Sequence, residues 1–158
     1  MLRWRNLPEV RRWMYTDHEI TEKEHDQWFE SVLRDESRQY WVIMLDEQPV
    51  GVIGLNQGDS ESAADERSFG VYIGESSARG SGAATSALTQ VFAFAFSDPS
   101  VHRVSAEVLS ANEAAIRAYA RAGMVRSERP AQRTDAIVML IDRATWTTKT
   151  SASLEAKV

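Results

Sequence analysis

The sequence predicts a mixed α/β fold, a central sheet with strands of both orientations and flanking helices. Segments of helical and strand periodicity follow in the order two helices, three strands, helix, strand, helix, two strands. That order is too irregular for a strictly doubly wound sheet. In addition, the 158 residues contain neither an internal repeat nor a linker. The expected organisation is one domain over residues 1–146 and a loose polar tail, TTKTSASLEAKV, over residues 147–158.

Leu7 to Met14 reads as the first helix and Glu22 to Leu33 as the second. Thr21 and Glu24 stand at the spacing of a capping box, and Trp28, Phe29, Val32 and Leu33 recur on one helical face. Tyr40 to Leu45 is aromatic and β-branched; DEQP then turns the chain into Val50 to Leu55. The polar stretch from Asn56 to Arg67 reads as a surface loop before a strand from Phe69 to Ile73. Residues 82–96 have helix length and a wide apolar face. Arg103 to Leu109 is a strand, followed by a helix that Asn112 can cap at its start and Gly123 at its end. Met124 to Arg129 and Ile137 to Ile141 complete the strands.

Composition narrows the function classes. The chain is 43% hydrophobic and 26% charged, as an ordinary globular protein is. With no cysteine, disulfides, thiolate metal sites and cysteine nucleophiles are excluded. A formal charge of -5 argues against a nucleic-acid or anionic-membrane binder. No apolar run reaches the ~20 residues that span a bilayer, and the start lacks a signal-peptide pattern, so the expected location is the cytoplasm. Two histidines, His18 and His25, without a third ligand do not make a metal site.

The chemistry begins at GVYIGESSARGSGAATSAL, where a strand runs through Gly80 and Gly82 into a helix. Glycines let a ligand approach the backbone, and the N–H groups of a helix start attract anions. No Gly-Lys-Ser/Thr follows, so this is not a P-loop, and Thr85 stands where a dinucleotide fingerprint needs its third glycine. On this loop alone, an anion site and a plain helix start both remain open. Further on, Asn112 and Tyr119 lie seven apart, two helical turns, on one face.

Arg79, Gly82 and Ala84 match the Arg/Gln-x-x-Gly-x-Gly/Ala signature of the GNAT acetyltransferase superfamily, which the chain resembles. Asn112, Ala115, Tyr119 and Gly123 are similar to that superfamily's second motif, with Met124 where phenylalanine is usual. The resemblance implies acetyl-coenzyme A as donor and no metal. It implies a pyrophosphate on the backbone of Gly80, Ser81, Gly82, Ala83, Ala84 and Thr85, with Arg79 beside it. The pantetheine would run like an added strand along Val71, Tyr72 and Ile73. Asn112 would bond that arm, and Tyr119 would protonate the departing thiolate. Arg121, with Arg117, either reaches the coenzyme phosphates or lies on a solvated face. The superfamily usually opens with an edge strand, whereas this chain begins within the following helix. The edge at Tyr40 would then be covered by the tail or by a second subunit, so a homodimer is an expectation.

The opening stretch MLRWRNLPEVRRWMYTDHEIT holds four arginines between residues 3 and 12, against one glutamate, with Trp4, Trp13 and Tyr15 among them. It resembles the superfamily's branch that acetylates a UDP-linked 4-amino-4,6-dideoxy sugar on the route to pseudaminic acid of flagellins. The resemblance implies an acceptor clamp of Arg5, Met14, Tyr15 and His25. Arginines suit the phosphates, aromatic faces the uracil, and an apolar wall the sugar methyl. Taken singly, each tryptophan reads better as core.

Glu107 lies in the strand SAEVL on the face opposite Val104, Ala106 and Val108. A partly desolvated carboxylate there tends to a raised pKa and could take the acceptor amine's proton, and Ser68 could hold a relaying water. An ion pair between Glu107 and Arg103 or another sheet neighbour is the equal alternative. Two further readings stand beside the nucleotide-sugar enzyme: a protein N-terminal acetyltransferase, and a coenzyme A-binding sensor without catalysis.

Overall fold

The computed structural model describes residues 1–57 and 64–155, so most of the expected loop from Asn56 to Arg67 lies outside the described residues. Two short helices open the chain, α1 (Leu2–Asn6) and α2 (Pro8–Arg11). They meet at Leu7, whose ψ of 131° is the extended conformation that a following proline enforces. The helix α3 (Glu22–Leu33) starts with the expected capping box: the Thr21 hydroxyl accepts from the Glu24 N–H, and the Glu24 carboxylate accepts from the Thr21 N–H.

Three strands follow, β1 (Arg38–Leu45), β2 (Gln48–Gln57) and β3 (Glu66–Ile73). Asp46 and Glu47 turn β1 into β2 with φ of 48° and 64°, the left-handed pair that a tight type I′ hairpin needs. A single 3₁₀ turn leads to α4 (Ala83–Ser97), then come β4 (Arg103–Leu109), α5 (Glu113–Ala122), β5 (Val125–Arg126), β6 (Ala136–Asp142) and α6 (Arg143–Glu155). The sheet order is β1-β2-β3-β4-β6-β5, with β3 and β4 parallel and every other pair antiparallel.

The pleat divides the sheet into two working faces. Phe69 meets Phe92 of α4 at 5.6 Å and Tyr119 of α5 at 5.2 Å, so the odd residues of β3 face the core beneath those helices. Leu88, Phe92 and Val104 are fully buried there. The opposite face carries Tyr40, Gly54, Gly70 and Tyr72, and α3 covers part of it by setting Trp28 edge-on to Tyr40. Trp4 is buried against Gly74, where an added Cβ would lie 2.1 Å from its ring, and its indole N–H donates to Glu75.

Two expectations are corrected. Residues 147–155 of the segment read as a loose tail belong to α6, which Trp146, buried against Phe92 and Phe96, holds on the core, and residues 156–158 lie outside the described residues. The last-but-one strand is two residues long rather than six. Its chain leaves the sheet where the Ser127 hydroxyl accepts from the Arg129 N–H and Arg129 is drawn to a distant carboxylate. Among the described residues no strand precedes the helices, and β1 forms one edge of the sheet.

Candidate active site

A large cleft opens where two parallel strands part. The β3–β4 pairing covers only Glu66 to Ser68 against Arg103 to Ser105, yet both strands continue, to Ile73 and Leu109. Between them lies a cavity of about 1210 Å³. The Gly74 N–H bonds the Val50 carbonyl, which fixes the register: Tyr72, Gly70 and Ser68 exchange hydrogen bonds with β2. Phe69, Val71 and Ile73 therefore direct their backbone N–H and C=O groups towards the gap. This is an open strand edge inside the protein, the arrangement to which an extended ligand adds as a further strand.

The start of α4 borders one end. Gly80 and Gly82 have φ of 78° and 91°, and a Cβ on either would meet nothing within 4 Å. The Ser81 N–H reaches the Ala78 carbonyl and the Ala83 N–H is bonded by the Ser81 hydroxyl, whereas Gly82, Ala84 and Thr85 keep backbone N–H groups without an acceptor among the described residues. Arg79 braces this loop by reaching the carbonyls of Ile73 and Gly74, and sits 3.6 Å from Glu9. Asn112 caps α5 by accepting from the Ala115 N–H, and its amide NH₂ has no acceptor among the described residues. Arg121 lines the cleft; Arg117 does too, but pairs with Glu113.

Tyr119 stands at the centre, 5% exposed, with its ring edge-on to Phe69 and its hydroxyl without a partner among the described residues. Burial pushes its phenol above its ordinary value, so it stays protonated at physiological pH.

The other half of the cleft lies on the face beneath the first helices. Glu107 accepts from the Gln132 N–H, 3.0 Å from each oxygen, and from the Tyr15 hydroxyl. It does not pair with Arg103, because Arg103 goes to Glu66. Burial and the bond to Glu107 raise the Tyr15 phenol. Arg133 lies 5.5 Å over the Tyr15 ring and chelates Asp135. Ser68 lines the cleft in a polar row with Asn56 on β2 and Ser105 on β4.

The four expected clamp residues separate. Met14 and Tyr15 line the cleft; Arg5 and His25 do not. Arg5 donates to the Thr16 carbonyl at 2.8 Å, and neighbouring Asn6 makes a two-point bond with the backbone of Ile20. These two side chains hold the turn that carries Tyr15. His25 stacks on Phe29 and tilts against Trp28. In their place the cleft wall has Arg12 and Trp13. Local spacing gave no way to separate Arg12 from Arg11, or Arg5 from either.

A second group had no signal in the sequence. Glu66, buried at 7% exposure, takes a two-point bond from Arg129 at 2.9 Å, with Arg103 at 3.3 Å and the Ser105 hydroxyl. Burial pushes its carboxyl up, but Arg129, Ser105 and Arg103 outweigh it, and the net direction is down. A depressed folded value adds stability above the unfolded value near 4.3 and loses it as pH falls through the folded one. Glu66→Gln should therefore flatten the acid limb of stability and cost about 1–3 kcal/mol at pH 7 by denaturant titration. The loss sits below that of a fully buried pair because both guanidinium groups are partly exposed.

The acetyltransferase (GNAT) domain family matches residues 1–125. The chain belongs to this family. As a GNAT enzyme it moves acetyl groups from acetyl-CoA, and the cleft fits that donor: the unpaired edge of β3 accepts an extended arm, and the open glycine turn with free N–H groups accepts phosphate. Among curated relatives, acetyltransferase PseH of Campylobacter jejuni (serotype O:23/36, strain 81-176) is 27% identical over 119 residues, 75% of this chain and 71% of that one. Aminoglycoside acetyltransferase AAC(6')-Ib, solved with coenzyme A, is 25% identical with a TM-score of 0.79 over 93% of this chain and 90% of that one. The structure of Campylobacter jejuni PseH with acetyl coenzyme A has a TM-score of 0.61 at 21% identity, over 77% and 79% of the two chains. No helix among the described residues is long and apolar enough to cross a membrane.

Proposed function

We propose that this GNAT enzyme acetylates the 4-amine of a UDP-linked 4-amino-4,6-dideoxy sugar by direct attack. The observation that carries this reading is the charge of the cleft. Of its lining carboxylates, Glu9, Glu66 and Glu113 each pair with an arginine, and only Glu107 lacks a guanidinium partner. Glu66 holds two arginines, so its cluster is net positive. Such a wall suits an acceptor with phosphates and opposes a polycation such as an aminoglycoside. The likeness to PseH and the pattern of residues 4–25 point the same way.

Acetyl-CoA supplies an activated acyl group as its thioester. Glu107, with lone pairs left beside its two donors, takes the proton that an acceptor ammonium must lose before attack. Ser68 can hold a relaying water. The N–H of Val71 or Ile73 faces the gap and stabilises negative charge on the acyl oxygen. Tyr119, kept protonated by burial, delivers its proton to the thiolate.

The test is thiol release from acetyl-CoA with three acceptors in parallel: the UDP-amino sugar, an aminoglycoside and a peptide N-terminus. Release with the nucleotide sugar alone supports the reading. Release confined to either other acceptor removes it and leaves the GNAT assignment standing.

A further inference from the structure

The turn after α2 places Arg12, Trp13, Met14 and Tyr15 in succession on the cleft wall. Arg12 differs from the other arginines of this region. Arg3 pairs with Glu75, Arg5 donates through Nη2 to the Thr16 carbonyl while its buried Nη1 has no partner among the described residues, Arg11 lies 3.9 Å from Glu19, and Arg79 is 3.6 Å from Glu9. Arg12 has no carboxylate or hydrogen-bond acceptor for its side chain among the described residues. Its guanidinium carbon instead lies 4.8 Å from the centre of the Trp13 ring. That contact holds the planar cation in place while its N–H edges stay free, which lowers the ordering cost of gripping a ligand.

We propose that Arg12, held against Trp13, binds the diphosphate of the acceptor and selects nucleoside-diphosphate sugars. The proposal rests on the nucleotide-sugar reading above. Oxygens of a diphosphate accept two parallel bonds from a guanidinium fork, which a neutral or cationic acceptor cannot provide. Arg5, tied to the backbone outside the cleft wall, keeps a supporting role in holding the turn.

Coenzyme A also carries phosphates, so the test must tell the two sources apart. Calorimetry on the full chain measures the affinity for UDP and, separately, for coenzyme A. Arg12→Ala should weaken UDP about tenfold or more and leave coenzyme A unchanged. Arg12→Lys, which keeps the charge without the fork, should fall between. Arg34→Ala, an exposed α3 arginine paired with Glu30, serves as the control for a mere loss of surface charge. The Arg12 side chain is on the surface, so the melting temperatures of these variants should match the wild type.

Unchanged UDP affinity in Arg12→Ala would overturn the proposal while leaving the nucleotide-sugar reading intact. Equal weakening of UDP and coenzyme A would overturn it too, and would assign Arg12 to the donor. Wild type that binds no UDP would overturn both the proposal and the reading on which it rests.

Discussion

Tyr119→Phe should lower kcat by roughly 10²-fold or more while leaving the KM for acetyl-CoA and the melting temperature close to wild type. The phenylalanine ring keeps the edge-on contact with Phe69, and the lost hydroxyl has no partner among the described residues to leave unpaired. Only a step that needs the phenolic proton should suffer. Burial raises this group's pKa, so loss of its proton should not limit the rate between pH 7 and about 9. The same raised value favours the protonated fold, so stability from this group is present below about 10 and lost as pH rises through the folded value. A Tyr119→Phe variant with undiminished thiol release would remove the tyrosine from the chemistry and leave it a core residue.

Glu107→Gln should reduce kcat/KM for the acceptor by about 10²- to 10³-fold. The amide keeps the shape of the carboxylate and can still accept from the Gln132 N–H and the Tyr15 hydroxyl, so the loop and the turn stay in place. It cannot take a proton. Retained activity in Glu107→Gln would make Glu107 a tether for Tyr15.

Together these variants test opposite ends of one proton path. In the proposed mechanism a fault in Tyr119 acts on the leaving thiolate, and a fault in Glu107 acts on the incoming amine. The Tyr119 defect should therefore persist at saturating acceptor at every pH, while the Glu107 defect should shrink as the solution itself deprotonates the amine.

Most of the fold was legible because its signals are local. Thr21 and Glu24 announce α3, Asn112 and Gly123 bracket α5, and the alternation in RVSAEVL fixes which face of β4 carries Glu107. The glycine turn and the tyrosine two turns after Asn112 are likewise read within short windows. The small polar residues of α6 carry no periodicity, so nothing local announces the helix that Trp146 packs on the core.

For the proposed acceptor side, only the residue types can be read along the chain: arginines, aromatic rings and carboxylates in the first helices and in β4. Tertiary structure alone decided which of them face the cleft. The kink at Leu7 and the turn after Arg11 set Arg12 and Trp13 on the cleft wall and leave Arg5 bracing a carbonyl. Glu66 meets Arg129 across 63 positions of chain, and Tyr15 meets Glu107 across 92. Helix caps and strand parity depend on a few neighbouring residues, so they can be read from short windows. Contacts between distant segments depend on how whole elements pack, and no spacing in the sequence records that.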